Sequence, residues 1–246
     1  MKKGFTLSEV LITLGVIGIV AAMTLPVLIG HWQEKITVSK LKKVYSVLSQ
    51  AYTRAVEDNG EPESWDLKEL NSFEGAKNIY NKMAPFLSVL QNCGQEKGCF
   101  YDGYYKKRSG SNWSKIEAPG FLGMYKFVLQ DGTALYIQTR SADCTEGKDS
   151  GLSLAAKNIC AFIVADINGA AKPNTWGKDL FAFQLTKYGI IPRGGWYNDN
   201  DVSSSFSNCL NPKSTGWACA AWVIFNENMD YLRCDDLSWN GKTKCK

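Results

Sequence analysis

The chain begins with a long apolar segment that carries no charged residue between Val10 and Ile29. At a rise of about 1.5 Å per residue, some 20 apolar positions form a helix about 30 Å long, which is enough to cross a bilayer core. Lys2 and Lys3 precede the segment, and positively charged flanks tend to stay in the cytoplasm. The pattern therefore predicts a transmembrane helix over 5–30, with its N-terminus cytoplasmic and the rest of the chain outside.

A second helical pattern follows directly. Apolar residues recur at spacings of three and four, which gives one apolar face. No Gly or Pro interrupts Gln33 to Asp58, and Asn59-Gly60 is a suitable stop signal. We expect 31–59 to continue the first helix and to pack against the outer domain; two helices broken near Pro26 to Gly30 are the alternative. The apolar face consists of Leu41, Val44, Tyr45, Leu48, Ala51, Tyr52 and Ala55.

The remaining residues, 60–246, predict one globular domain that contains both helix and strands. A second amphipathic helix is expected within 61–92, interrupted by Pro85. The apolar runs Phe121–Gln130 and Thr133–Arg140 flank Asp131-Gly132, which is a strong hairpin signal. Residues 217–225 are apolar enough for a core element, but their pattern does not distinguish helix from strand. The helix would bury Ala76, Ile79, Tyr80, Met83, Leu87 and Leu90, and two further buried strands are expected at Cys160–Ile167 and Phe181–Leu185.

Charge and known motifs exclude several classes of function. The net charge of +4 is mildly basic and gives no evidence for a nucleic-acid partner. The run Lys106-Lys107-Arg108 is expected to be a solvated loop. The chain has a single histidine and none of the usual hydrolase, nucleotide-binding or metalloprotease motifs, so we expect no enzyme activity.

The eight cysteines all follow residue 90, on the side of the membrane predicted to be outside. An even number of cysteines in an oxidising compartment indicates disulfides, and the zinc alternative lacks short C-x-x-C pairs and nearby histidines. We expect sequential pairing, although eight cysteines permit many other connectivities. The predicted pairs are Cys93–Cys99, Cys144–Cys160, Cys209–Cys219 and Cys234–Cys245.

Glu9 distinguishes three interpretations of the apolar segment. A plain anchor explains the length and the lysines but not a carboxylate, which costs about 2.5–3.5 kcal/mol in a membrane helix. A removable secretory signal would have a shorter apolar region, although Val20-Ala21-Ala22 is an acceptable cleavage site. The third interpretation explains the lysines, Glu9 and the length of the apolar segment together. Lys-Lys-Gly4 followed by Phe5-Thr-Leu-Ser-Glu9 and an uninterrupted apolar helix resembles the class III signal of type IV prepilins and type II secretion pseudopilins.

This resemblance implies processing and assembly. A prepilin peptidase would cut after Gly4, which leaves 1–4 as a leader, and would methylate the new N-terminus at Phe5. Glu9 matches the intramembrane acid of the family and would dock beside the Phe5 amine of another subunit, because a buried carboxylate and ammonium satisfy each other. Gly18 and Pro26 stand where related pilins have helix-weakening residues, and Pro26 predicts a kink or local break.

A second motif lies in the outer domain. Asp166-Ile-Asn168-Gly169, a following Pro-Asn pair and Gly177-Lys-Asp179-Leu-Phe resemble a segment found in many prepilin-like sequences. Asp, Asn and Gly residues are typical of tight turns. Asp166, Asn168 and Asp179 also offer the oxygen ligands that calcium prefers, although the segment lacks the ligand spacing of an EF-hand. A metal-free structural turn and a calcium site are both open, with no other cofactor expected.

The sequence therefore predicts an α+β, pilin-like fold: a long N-terminal helix, half of it transmembrane, packed on an antiparallel β-sheet, with a disulfide-linked C-terminal region. The function implied by the resemblance is that of a filament subunit in type II secretion, a pilus or DNA uptake. Its partners would be the prepilin peptidase, other pilin subunits, the inner membrane and an assembly platform. The alternative is a single-pass membrane-anchored protein whose aromatic residues bind a carbohydrate or a partner and which does not polymerise.

Overall fold

The structure is a computed structural model of the 246-residue chain, and it describes residues 6–146, 157–195 and 207–245. The chain forms two compact units, 1–36 and 37–246. Helix α1, Leu7–Asn59, begins in the first unit and ends in the second. The amphipathic part of this helix therefore belongs to the outer unit.

Helix α1 is continuous and contains both Gly18 and Pro26. The described helix therefore has no local break at either residue, and the kink at Pro26 stays a prediction. Proline removes one backbone donor and crowds the preceding turn, but the helical hydrogen bonds on either side hold the remaining residues in place.

The second half of α1 buries the apolar face that its spacing predicts. Leu41, Leu48 and Ala55 are fully buried, and Val44 and Ala51 are 1% exposed. This face packs on the sheet, where the Tyr45 ring stacks on Phe183 with centroids 6.1 Å apart. The predicted amphipathic continuation is thereby confirmed.

Helix α2, Phe73–Met83, is shorter than the predicted second helix. Its N-cap is Ser72, whose Oγ accepts a hydrogen bond from the Gly75 N–H at 3.3 Å. Ala76, Ile79, Tyr80 and Met83 are buried as predicted.

The placement of Leu87 and Leu90 on this helix was wrong. Because Pro85 lacks an N–H group, the chain leaves the helix through the 3₁₀ turn Ala84–Phe86 and continues as strand β1, Val89–Gly94. Leu90 lies on this strand and is 66% exposed.

The outer unit contains a six-stranded antiparallel sheet in which each strand pairs with the next along the chain, in the order β1-β2-β3-β4-β5-β6. The hairpin predicted around Asp131-Gly132 is confirmed, and Gly132 has the positive φ of +83° that this turn requires. Both predicted buried strands are also present. The two edge strands, β1 and β6, were not predicted. The remaining strand bounds are β2 Tyr125–Leu129, β3 Ala134–Thr139, β4 Ile159–Asp166, β5 Leu180–Thr186 and β6 Gly189–Pro192.

The sequence did not distinguish helix from strand for residues 217–225, and the structure shows that most of this segment is helical. After the short helix α3, Ser207–Leu210, helix α4 spans Ala220–Asn226 and is buried through most of its length. The four disulfides join the cysteines in sequential order: Cys93–Cys99, Cys144–Cys160, Cys209–Cys219 and Cys234–Cys245.

Both faces of the central strands are buried, and each face belongs to a different apolar cluster. Leu135 and Ile137 point toward α1 and α2, whereas Tyr136 between them packs under aromatic residues from the loops. Arg108 belongs to this loop layer: it donates to the backbone carbonyls of Cys209 and Tyr231. We expected a solvated loop here, and this expectation was wrong for Arg108. Its guanidinium binds backbone carbonyls from distant parts of the chain, which a local sequence pattern does not reveal.

Candidate functional site

The N-terminal site begins at the edge of the described chain. Gly4 and Phe5, the predicted cleavage and methylation residues, lie outside the described residues. The first described residue is Thr6, and helix α1 begins immediately after it. The geometry of the site is therefore that of Thr6, Glu9 and the helix that follows.

Thr6 and Glu9 form a reciprocal pair of hydrogen bonds at the start of α1. The Thr6 N–H and hydroxyl donate to Glu9 Oε2 at 2.8 and 2.9 Å. The Glu9 N–H in turn donates to Thr6 Oγ1 at 3.3 Å. This arrangement is a capping box, in which two residues three apart satisfy backbone donors that the first helical turn leaves free.

The sequence analysis missed this capping box, although Thr-Leu-Ser-Glu has the required T-x-x-E spacing. It also treated Glu9 as a group that only another subunit could satisfy. The structure shows that its carboxylate already accepts two hydrogen bonds from its own chain. The interaction reduces the cost of holding an acid at the membrane before any neighbour arrives.

The first unit exposes apolar side chains around the whole helix. Among the described residues, fourteen of the nineteen exposed large apolar side chains lie between Leu7 and Trp32. A helix that is apolar on every side is stable only in a bilayer or among other apolar helices. By length and composition, α1 is also long and apolar enough to cross a membrane. This surface, together with the N-terminal signal, indicates membrane anchoring.

The second candidate site is the loop between β4 and β5, where the structure brings Asp166, Asn168 and Asp179 together. Asp166 Oδ2 accepts from the Tyr105 hydroxyl at 2.6 Å. Asp179 accepts the backbone N–H groups of Asn174 and Thr175, both at 2.6 Å. Both carboxylates are almost completely buried.

Burial changes the titration of both acids. Loss of hydration raises the pKa of Asp166 from its ordinary 3.8 to about 8, and the charge of Asp179 adds to this effect. Loss of hydration also raises the pKa of Asp179 to about 6, against the lowering effect of its backbone hydrogen bonds. The Tyr105 pKa is raised by the same burial and by the adjacent Asp166. The group is thus a buried, hydrogen-bonded cluster that favours a protonated Asp166.

The directions of the carboxylate oxygens bear on the choice between a structural turn and a calcium site. Calcium requires several carboxylate and carbonyl oxygens directed at one point. Here, both Asp179 oxygens and Asp166 Oδ2 are directed at N–H or O–H donors. Within 6–146, 157–195 and 207–245, no three His, Cys, Asp or Glu residues are grouped so that they could hold a metal ion.

Comparisons with protein families give two matches. Residues 27–229 match the model of the family of unknown function DUF6613, which therefore covers most of the chain. Residues 1–25 match the prokaryotic N-terminal methylation motif. Searches of the curated proteins and of the solved structures returned no match. The chain therefore belongs to the DUF6613 family, and it begins with the class III signal of type IV prepilins and pseudopilins.

Proposed function

We propose that this protein is a structural subunit of a type IV filament. The prepilin peptidase removes the leader after Gly4 and methylates Phe5, and the subunit then assembles through its N-terminal helix. The observation that carries the proposal is the methylation motif at 1–25 on a helix whose apolar surface is exposed on every side. In a filament, neighbouring helices would cover that surface after the subunit leaves the bilayer.

Glu9 has two successive roles in this proposal. In the waiting subunit, its carboxylate accepts hydrogen bonds from Thr6. During docking, it pairs with the amine at Phe5 of a neighbouring subunit, since an ammonium buried among helices requires an opposite charge. This exchange of partners would set the axial position of each new subunit.

The proposed location is the cytoplasmic membrane, with the N-terminus in the cytoplasm and the outer unit in the periplasm or outside the cell. Lys2 and Lys3 support this orientation through the positive-inside rule. The four disulfides of the outer unit support it independently, because disulfides persist in oxidising compartments. Type II secretion, pilus and DNA-uptake assemblies, each with its own assembly platform, all use subunits of this design.

Intact mass spectrometry of the protein from cells that contain a prepilin peptidase tests the processing step. We expect loss of residues 1–4 together with one added methyl group. Gly4→Ser should block both changes. An untrimmed wild-type chain would contradict the proposal and support a plain anchor, and loss of everything through about residue 22 would indicate a secreted domain.

Glu9→Ala tests the assembly step. The variant should remain in the membrane and be trimmed normally, but it should fail to form filaments. The matched control is Glu57→Ala, which removes an exposed acid from the outer half of the same helix and should leave filaments unchanged. Normal filaments from Glu9→Ala would remove Glu9 from the proposed mechanism.

A second candidate function is that of a single-pass membrane-anchored binding protein. The observation that favours it is a pocket walled by Trp113, Trp176 and Trp217 in the outer unit, which a filament subunit does not require. The mass measurement above distinguishes the two functions, because a plain anchor keeps its first four residues.

We propose that the loop containing Asp166, Asn168 and Asp179 is a metal-free turn and that the protein needs no cofactor. The hydrogen bonds to Tyr105, Asn174 and Thr175 support this proposal. Calcium and a chelator should therefore give the same melting temperature. A calcium-dependent rise that Asp179→Asn abolishes would show that the loop is a calcium site.

A further inference from the structure

A small cavity lies on the face of the sheet that points away from α1. Its volume is about 190 Å³, and β3, β4 and β5 form its floor through Tyr136, Phe162 and Ala182. Pockets for drug-sized ligands have about 300–1,000 Å³. The cavity therefore has room for a single ring with its substituents.

Three tryptophans form a rigid wall of this cavity. Trp113 meets Trp176 and Trp217 edge to face, with ring centroids 5.2 and 5.8 Å apart. Trp176 and Trp217 lie 5.3 Å apart and are tilted by 36°. Because each indole is held by the other two, the wall keeps its shape without a ligand.

Two arginines also line the cavity. The Arg193 guanidinium lies 4.5 Å from the Phe162 ring centroid and 5.2 Å from that of Trp217. The Arg140 guanidinium lies 4.8 Å from the same Phe162 ring and is oriented by an ion pair with Glu146. These contacts hold both planar groups over aromatic faces, which are then not available to a cationic ligand.

The lining groups that can hydrogen-bond a ligand are mainly donors. Nε1 of Trp176 and Nε1 of Trp217 are buried, and neither has a hydrogen-bond acceptor among the described residues. Asn71 and Gln138 bond to each other at 2.6 Å. None of the described residues that line the cavity carries a carboxylate. A ligand with acceptor oxygens would satisfy the two indole N–H groups. A cationic ligand would instead lie close to two guanidiniums.

We propose that this cavity binds a small ring-shaped organic anion, namely a carboxylate attached to a single six-membered ring. The ring would pack against the tryptophans and the carboxylate would face the arginines. Acidic sugars and aromatic carboxylates share this chemistry. The proposal does not depend on filament assembly, because it rests only on residues of the outer unit.

Calorimetric titration of the full chain in detergent micelles tests the proposal. The probes are glucuronate and benzoate, each paired with its neutral counterpart, glucose and benzyl alcohol. We expect at least one anion to bind with a 1:1 stoichiometry and a Kd on the order of 1 mM or lower. The Kd of its neutral counterpart should be at least about tenfold higher. Binding of glucuronate alone would identify an acidic sugar as the ligand, and binding of benzoate alone would identify an aromatic acid.

Two variants localise the binding. Arg140→Lys keeps the charge but removes the planar group that stacks on Phe162, and it should weaken binding about fivefold or more. Trp217→Phe removes one indole donor and should weaken binding as well. Trp239→Phe, which alters a tryptophan packed on Trp222 outside this cavity, is the control and should bind normally.

Thermal melting of each variant shows whether it is folded. If one of the variants is unfolded, Phe162→Leu is tested in its place. The proposal is overturned if folded wild-type protein binds neither anion. It is also overturned if neutral and anionic rings bind equally, or if folded Arg140→Lys and Trp217→Phe both bind like the wild type.

Discussion

At the scale of single residues, the outer unit contains a buried ion pair. Lys126 and Glu117 form an ion pair of 2.7 Å in which the side chains are only 4% and 0% exposed. Glu117 also accepts the Phe100 N–H through its other oxygen at 2.5 Å. Removal of one charge would leave the other buried without an opposite charge, which costs far more than loss of a surface pair.

Glu117→Gln should therefore destabilise the protein by about 3 kcal/mol or more. Urea unfolding measures this change, and Asp102→Asn in the exposed Lys97–Asp102 pair is the control, with an expected effect within about 0.5 kcal/mol. The double variant Glu117→Gln with Lys126→Met should recover most of the lost stability, because no unpaired charge remains. A change below about 1 kcal/mol in Glu117→Gln would show that water reaches the pair.

Asp166 makes the stability of the outer unit depend on pH. Its folded-state pKa of about 8 lies above the ordinary value of 3.8, so the folded chain binds more protons than the unfolded chain between these values. The free energy of unfolding should therefore fall as pH rises from about 4 to about 8. Asp166→Asn, which imitates the protonated acid, should reduce this fall.

Urea unfolding at about pH 5 and about pH 8 measures the difference, which should be at least about 1 kcal/mol larger in the wild type than in Asp166→Asn. Asp102→Asn, at an exposed position, serves as the control and should keep the wild-type pH dependence. Equal pH dependence in the wild type and Asp166→Asn would mean that Asp166 is ionised in the folded protein at neutral pH.

Among the elements, the second half of α1 determines how the outer unit is built. It covers one face of the sheet along its apolar stripe and forms the main core together with α2. Leu48 lies in the middle of this stripe and is fully buried. Its side chain cannot be shortened without leaving a cavity, because helix and sheet are held together along the whole stripe.

Leu48→Ala should lower the free energy of unfolding by about 2–5 kcal/mol. Denaturant unfolding monitored by circular dichroism measures the loss. Ser46→Ala, two residues earlier on an exposed position of the helix, should change stability by less than about 0.5 kcal/mol. If the two substitutions had the same effect, the helix would not be packed on the sheet in solution.

At the scale of the whole molecule, the two units differ in how much apolar surface they expose. The described part of the first unit, 6–36, exposes apolar side chains and contributes no residue to the buried clusters, whereas 37–246 contains these clusters and the four disulfides. The exposed apolar side chains, which are stable only in an apolar environment, are therefore concentrated in the first unit.

A chain that lacks 1–36 should therefore remain soluble without detergent and unfold cooperatively, while the full chain should require detergent. Size-exclusion chromatography and thermal melting check this expectation. Mass measurement after thiol alkylation should show that all eight cysteines remain in disulfides. Aggregation of the shortened chain under oxidising conditions would mean that the outer unit depends on the first half of α1.

Local sequence patterns by themselves determined the long helix, the amphipathic face around Leu48, the hairpin at Asp131-Gly132 and the methylation motif. In each case the signal lies within a few residues, since helix and strand periodicities and turn chemistry act over short distances. The order of the disulfides also followed the order of the cysteines along the chain. The capping box of Thr6 and Glu9 could also have been predicted from the sequence, because its two residues lie only three positions apart.

Only the tertiary structure decided the features that join distant segments. It formed the edge strands β1 and β6 and placed Arg108 against a carbonyl about one hundred residues away. It also placed Trp113, Trp176 and Trp217 around one cavity. These contacts depend on which loops cover the second face of the sheet, and residues that meet there have no periodic relation along the chain.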